Sequence, residues 1–268
     1  MPGDVALPRL TLPAGLAAAE THSHTLASDG MATPEALVAA AAAVGLAVLA
    51  ITDHDTCAGV EPAREAGQRL GVDVVRGQEI TTALPQGIHV VGLFLERPVR
   101  MGLSVEDAVA AIHEQGGLAV LPHPFMPTYF ASISARRTRR LLEACRVDAI
   151  ELRHTAVMAP NGYRRLDAFY AEHRERLGAA LGAGDSHFGA HDLGRMVTVF
   201  PGGTAADLRA AIEQRTTSPL QGVRTAGPSL AMRVAQQRRS LVWLPLERRA
   251  GRVGGGMAPT GGARGSPG

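Results

Sequence analysis

Lysine is absent from this chain, and cysteine, tryptophan and aromatic residues are scarce. All 27 basic residues are arginine, there are two cysteines and one tryptophan, and aromatics make up 4% of the sequence. Two cysteines, Cys57 and Cys145, cannot build a disulfide framework, and such sparing use fits a reducing compartment. The longest apolar run, ALVAAAAAVGLAVLAI, is mostly alanine, is broken by Gly45 and is too short for a bilayer span. The opening MPGDVALPRLTLPAG has no basic segment followed by an apolar one, so a secretory signal is not expected. These absences lead to the expectation of a cytoplasmic protein with no membrane association and no obligate protein partner.

What is present is more specific. At 268 residues the chain is long enough to bury a core without disulfide or metal staples. Its net charge of +2 divides unevenly. From Arg224 onward eight arginines face one acid, Glu247, for a charge of +7, and the preceding residues have nineteen arginines against twenty-four acids, or −5. A basic tail can attract polyanions. An acidic body rich in histidine fits cation binding better than a nucleic-acid surface.

Short β-like runs alternate with alanine-rich helical ones. TPEALVAAAAAVG predicts a helix capped by Thr33, with Pro34 in the first turn and Gly45 at the end. SVEDAVAAIHEQGG predicts another, with Ser104 and Asp107 as a capping pair. LAVLAIT, LAVL, DAIEL and LGAALGAG read as buried strands, and VDVVRGQEI and IHVVGLF as two strands joined by TTALPQG. This alternation predicts an α/β fold with a parallel sheet, open or closed into a barrel. We expect a barrel domain over 1–225, an extension packing on it over 226–249, and a disordered Gly/Pro/Arg-rich tail over 250–268. Leu230, Val234, Leu241, Val242, Trp243 and Leu246 are expected to pack the extension back on the body.

Five apolar strand runs are each followed by residues able to bind metal. The first leads to His22 and His24, the second to His54, the third to Glu79, LAVLPHP to His123, and LGAALGAGDSH to Asp185 and His187. In a parallel barrel all strand C-termini open on one face, so these side chains would share a rim. His89 would join them if its strand hairpins back from Glu79. Imidazole and carboxylate without thiolate suits Mn, Fe or Zn, and there are too many donors for one ion. Two or three divalent ions are expected.

The motifs THSHTLASDG, AITDHDT, GQEI, IHVVGL, LPHP and GAGDSH follow one another in this order from Glu20 to Phe200. Together they resemble the PHP (polymerase and histidinol phosphatase) domain family of metal-dependent phosphoesterases. The resemblance implies a distorted (β/α)7 TIM-like barrel with a trinuclear site at the C-terminal face of the strands. It implies His22, His24, Asp29, His54, Glu79, His89, His123, Asp185 and His187 as ligands. Glu20 departs from the family, which usually has Asp two residues before the first histidine.

The chemistry expected is hydrolysis of a phosphate ester by metal-activated hydroxide, on a small nucleotide such as a nucleoside 3′,5′-bisphosphate or on a short RNA or DNA end. The alternatives are a histidinol-phosphate-type phosphomonoesterase, a deacetylase or amidase, or a non-catalytic metal- or polyanion-binding module. Asp53 is a candidate orienter of a ligand histidine, and Asp55 a candidate helix cap. His154 and His191, near the rim, are candidate proton donors. Arg153 and Arg195 are candidate phosphate ligands, because a guanidinium meets phosphate with two parallel N–H groups. Arg136, Arg137, Arg139 and Arg140, with Tyr129 and Phe130, could track an oligonucleotide, although a solvated helix face with Leu141 and Leu142 turned inward explains them as well.

Overall fold

Residues 7–85, 87–126, 131–155 and 161–251 are described, in a computed structural model. The expected tail beyond 251, and Tyr129 and Phe130, lie outside the described residues. The short apolar runs become strands β1 (Leu16–Glu20), β2 (Val48–Ile51), β3 (Asp73–Thr81), β4 (His89–Leu93), β5 (Leu118–Leu121), β6 (Ala149–His154), β7 (Ala179–Ala183), β8 (Met196–Pro201) and β9 (Ser218–Gln221). The helices are α1 (Pro34–Val44), α2 (Val60–Leu70), α3 (Val105–His113), α4 (Ala135–Ala144), α5 (Gly162–Leu177), α6 (Ala205–Gln214), α7 (Leu230–Arg238) and α8 (Leu244–Arg249). Local chemistry sets their ends as expected. The Thr33 hydroxyl accepts from Ala36 N, Gly45 turns left-handed at φ 88°, and Ser104 accepts from Asp107 N.

One sheet runs β7-β6-β5-β4-β3-β2-β1-β8-β9. It curls until its far edges meet, where the Thr198 hydroxyl donates to the Gly182 carbonyl at 2.9 Å and Thr217 donates to Ala180 at 2.9 Å. The fold is therefore an α/β barrel, nearly closed and distorted. Seven strands were expected, and nine are present among the described residues. Two of them, β4 and β8, run against their neighbours. Seven residues between β3 and β4 are too few for a crossover helix, so that pair closes as a hairpin.

Small inward residues let the barrel close: Ala17, Ala19, Ala50, Ala149 and Ala179 fill its interior with Val48, Val120, Leu181 and Phe200. Leu208, Ala211 and Ile212 of α6 join the same cluster. The α6 N-terminus is tied to the start of β3 by Ala205 N donating to Asp73 at 2.7 Å, so this helix plugs the end where the parallel strands begin. Outward residues pack under α1 and α2 on one side and under α3, α4 and α5 on the other.

The extension differs from expectation in how it docks. Leu230 (78% exposed), Val234, Leu241, Val242, Trp243 and Leu246 all face outward, and Leu244, outside that group, is buried. Polar side chains hold the extension instead: Arg239 donates to the carbonyls of Ser28 and Leu26, and Arg248 donates to Asp55 and Thr81.

Candidate metal centre

Every metal-ligand candidate sits at the open end, opposite α6. His22 and His24 follow β1, His54 follows β2, Glu79 lies near the end of β3, and His123 follows β5. Asp185 and His187 follow β7, and His89 is the first residue of the reversed β4. Antiparallel pairing sets Thr81 opposite His89 and Glu79 opposite Val91, which returns that imidazole to the rim. Asp29 is carried by the loop after β1. Gly30 closes this loop against the His24 carbonyl, and a Cβ there would lie 2.3 Å from that oxygen.

Three carboxylates organise the imidazoles. Glu79, 1% exposed, lies between five of them. Its Oε2 is 3.2 Å from His22 Nε2, 3.3 Å from His24 Nε2 and 3.2 Å from His54 Nδ1. Its Oε1 is 2.7 Å from His89 Nδ1 and 3.1 Å from His123 Nε2. Asp185 Oδ1 faces His22, His24 and His187 at 3.5, 3.2 and 3.3 Å. Asp29 Oδ1 faces His24, His54 and His187 at 3.8, 3.6 and 3.3 Å.

These contacts fit a metal better than a set of ion pairs. Charge-assisted N–H···O bonds close to about 2.7–2.9 Å. Two donors on one ion, each about 2.0–2.1 Å from it, stand about 3.3–3.4 Å apart in tetrahedral geometry. Most of the contacts from Glu79 and Asp185 fall in or beside the second range. His22 Nε2, both ring nitrogens of His24, Asp29 Oδ1 and His54 Nδ1 are buried without a hydrogen-bond partner. Buried polar atoms seldom stay unsatisfied, so this donor set has the chemistry of a metal site. Three groups, His24/Asp29/His54/His187, His22/His24/Asp185 and His54/Glu79/His89, each bring their ligand atoms within 4.8 Å of one another.

Electrostatics sort the rings. Burial pushes the His54 imidazole down to about 3, so it stays neutral and ready to ligate. Burial also opposes a charge on His187, but Asp29 and Asp185 outweigh it and raise that ring to about 10. His22 and His89 are raised for the same reason, through Glu79 foremost. Glu79 and Asp185 are held well below the usual carboxylate range by the surrounding histidines, against the effect of burial.

Further residues fix the ligands from behind. Glu151, 1% exposed, places Oε1 2.7 Å from His22 Nδ1 and accepts from His123 N at 2.7 Å through Oε2. A proton on Nδ1 directs Nε2 of His22 toward Glu79 and Asp185. The sequence signal for Glu151 was its place at the end of DAIEL. Glu20 does not contact a ring. Its carboxylate accepts from Gly184 N at 2.8 Å and His22 N at 3.3 Å, joining β1 to β7, and burial raises it to about 8. Asp192 accepts from His187 N at 2.8 Å and Phe188 N at 3.0 Å, and orders the turn after β7.

Four expectations need correction. Arg153 does not reach the cleft. It forms a two-pronged pair with Asp167 at 2.8 and 3.1 Å and stacks on Tyr163, because the strand shifts register between Glu151 and Arg153. His191 is exposed on a 3-10 turn, away from the cleft lining. Asp53 orients a loop rather than a histidine, accepting from Thr25 N, the Thr25 hydroxyl and the Ser28 hydroxyl at 2.6–2.7 Å. His154 is buried, its Nε2 3.4 Å from Asp185 Oδ2, and Arg195 lines the cleft. Asp55 caps no helix but accepts from Thr81 N and Arg248. On α4, Arg139 lies over Phe169 while Leu141 and Leu142 are buried, the pattern of a solvated helix face.

A cleft of about 780 Å³ opens above Asp29, Glu79 and Asp185, within the range of small-molecule sites. The family model of the PHP domain matches residues 20–214, which includes every one of these ligand candidates. The chain belongs to the PHP domain family. Among PHP relatives, it is 37% identical to the 5′-3′ exoribonuclease Rnm of Escherichia coli over 124 residues, 45% of this chain and 34% of that one. It is 28% identical over 202 residues to the 3′,5′-nucleoside bisphosphate phosphatase of Chromobacterium violaceum, covering 66% of this chain and 68% of that one. The chain thus spans only about a third of the exoribonuclease it matches. A two-domain protein from Bacteroides vulgatus containing a predicted PHP-like metal-dependent phosphoesterase superposes with a TM-score of 0.64 at 20% identity. That likeness covers 82% of this chain and 70% of the other, and shows the shared fold. No helix among the described residues of this PHP protein is long and apolar enough to cross a membrane.

Proposed function

We propose that this PHP protein is a metal-dependent phosphoesterase that hydrolyses a phosphate ester of a small nucleotide or a short oligonucleotide end. The observation that carries this reading is Glu79, a buried carboxylate facing five imidazoles at the floor of an open cleft. His22, His24, Asp29, His54, Glu79, His89, His123, Asp185 and His187 would hold two or three divalent ions, Mn, Fe or Zn by donor type. Such ions lower the pKa of water and neutralise charge on phosphoryl oxygens.

The chain's own groups supply the rest. Arg195 and Arg233 line the cleft and offer charge to phosphate oxygens outside the ion cluster. His154 sits against Asp185 and Glu151 within the buried layer, which favours orienting those carboxylates over delivering a proton to a leaving group. The relatives named for nucleoside bisphosphate and RNA substrates support a nucleotide over an amino-alcohol phosphate.

The test is release of inorganic phosphate from a nucleoside 3′,5′-bisphosphate by Mn²⁺-reconstituted protein, beside a chelated sample and His54→Ala. Release that needs metal and is lost in the variant is expected. No phosphate release from this substrate or from histidinol phosphate, and no nucleotide release from a short 5′-phosphorylated RNA, with Mn²⁺ shown to be bound, would overturn the reading.

A further inference from the structure

One wall of the cleft is α7, from the C-terminal extension. Gln236 is 7% exposed although both of its neighbours on the helix are far more open. Its Nε2 donates to Asp29 Oδ2 at 3.1 Å, while Oδ1 of the same carboxylate faces His24, His54 and His187. Gln237 Nε2 donates to Gln236 Oε1 at 3.0 Å, which fixes the amide with its N–H toward the carboxylate. Immediately after α7, Arg239 Nε donates to the Ser28 carbonyl at 2.6 Å, and its second nitrogen donates to the Leu26 carbonyl. The same segment therefore grips both the loop that carries Asp29 and the Asp29 side chain.

We propose that Gln236 is a positioning residue that couples docking of the C-terminal helix to occupancy of the ion subsite built on Asp29. The proposal rests on the metal-centre reading above and extends it to a segment outside the barrel. A carboxylate with one oxygen held by a fixed amide presents the other in a single direction. Partners of this kind change metal affinity by about 10- to 100-fold. Coupling of binding equilibria is reciprocal, so the ion strengthens helix docking by the factor by which docking strengthens the ion.

The experiment uses the full chain and the near-isosteric Gln236→Met, which keeps length and packing but removes the donor. Mn²⁺ affinity and stoichiometry are read by competition with a chelating dye, and amide hydrogen exchange over 230–238 is followed with and without Mn²⁺. We expect one ion to weaken by about 10- to 100-fold in Gln236→Met while the others bind as in wild type. Mn²⁺ should slow exchange over 230–238 in wild type and not in the variant. Arg238→Ala, an exposed change on the same helix, should bind Mn²⁺ as wild type does. Equal Mn²⁺ affinity in Gln236→Met and wild type overturns the coupling and leaves the metal centre standing. So does exchange over 230–238 that ignores Mn²⁺. If wild type binds no Mn²⁺ at all, the metal-centre reading falls as well. Should Gln236→Met prevent docking altogether, Arg239→Ala decides, because it loosens the helix while leaving the amide and Asp29 intact. Weakening of one ion in that variant supports the coupling, and unchanged affinity overturns it.

Discussion

Removing the ions should lower the melting temperature of this protein by a large and calculable amount. The perturbation is exhaustive chelation followed by stepwise return of Mn²⁺. An ion that binds only the folded chain, at a free concentration one hundred times its Kd, stabilises by about 2.7 kcal/mol. The overlapping ligand groups, joined through His24 and His54, accommodate two or three ions. The total is then about 5–8 kcal/mol. At roughly 2–4 °C per kcal/mol for a domain of this size, the melting point should fall by about 10–30 °C. The lower part of that range is the better expectation. Without ions, the protonated His187 already offsets the charges of Asp29 and Asp185, so the metal-free fold is partly compensated. Circular dichroism melts across a Mn²⁺ titration, with bound metal measured in parallel, provide the assay. A melting point that stays within about 2 °C while two or more ions are shown to bind would refute the reasoning, because ions held by side chains from β1, β2, β3, β4 and β7 must link those strands.

Glu151→Gln removes the charge behind His22 but not the shape, and should weaken the most affected ion by about 10- to 100-fold; chelator competition reads this, and wild-type affinity would count against the role given to Glu151. Loading should release protons, since His187, raised to about 10, is charged at pH 7.5, whereas His54, lowered to about 3, is already neutral. Metal affinity should therefore rise with pH from about 6 to 9, and calorimetry in two buffers of different ionisation enthalpy should show at least one proton leaving. In the metal-free protein the sign is opposite: the His187 contribution to stability is complete below its ordinary pKa of 6.5 and is lost as pH rises through about 10. Gly184→Ala would set a Cβ 2.3 Å from Glu20 Oε2 and should cost about 1–3 kcal/mol in urea unfolding, with part of the loss recovered when Glu20→Asp is added.

The strand-end logic made most of the centre legible in the sequence. Apolar runs of four or five residues must be strands in an alternating chain, and whatever follows them must gather at one end. The place of His89 is conditional on a hairpin back from Glu79, and the antiparallel pairing of β3 and β4 meets that condition. Strand-end logic failed at β6, where strict alternation puts Glu151 and Arg153 on one face. The register shift between them sends Glu151 inward to His22 and Arg153 outward to Asp167, and no residue in DAIELRH announces it. The extension misled for a different reason. Its apolar residues suggested a buried stripe, yet its docking depends on Gln236, Arg239 and Arg248 reaching backbone carbonyls and carboxylates, partners that only the folded rim creates.

The plug formed by Leu208, Ala211 and Ile212 has a consequence for traffic. With the far end of the barrel sealed by α6, the cleft is a cul-de-sac. An ion or small molecule at the cleft floor would reach it from the rim side, where α7 supplies part of the lining. An anion there would meet Arg195 and Arg233, which line the same cleft.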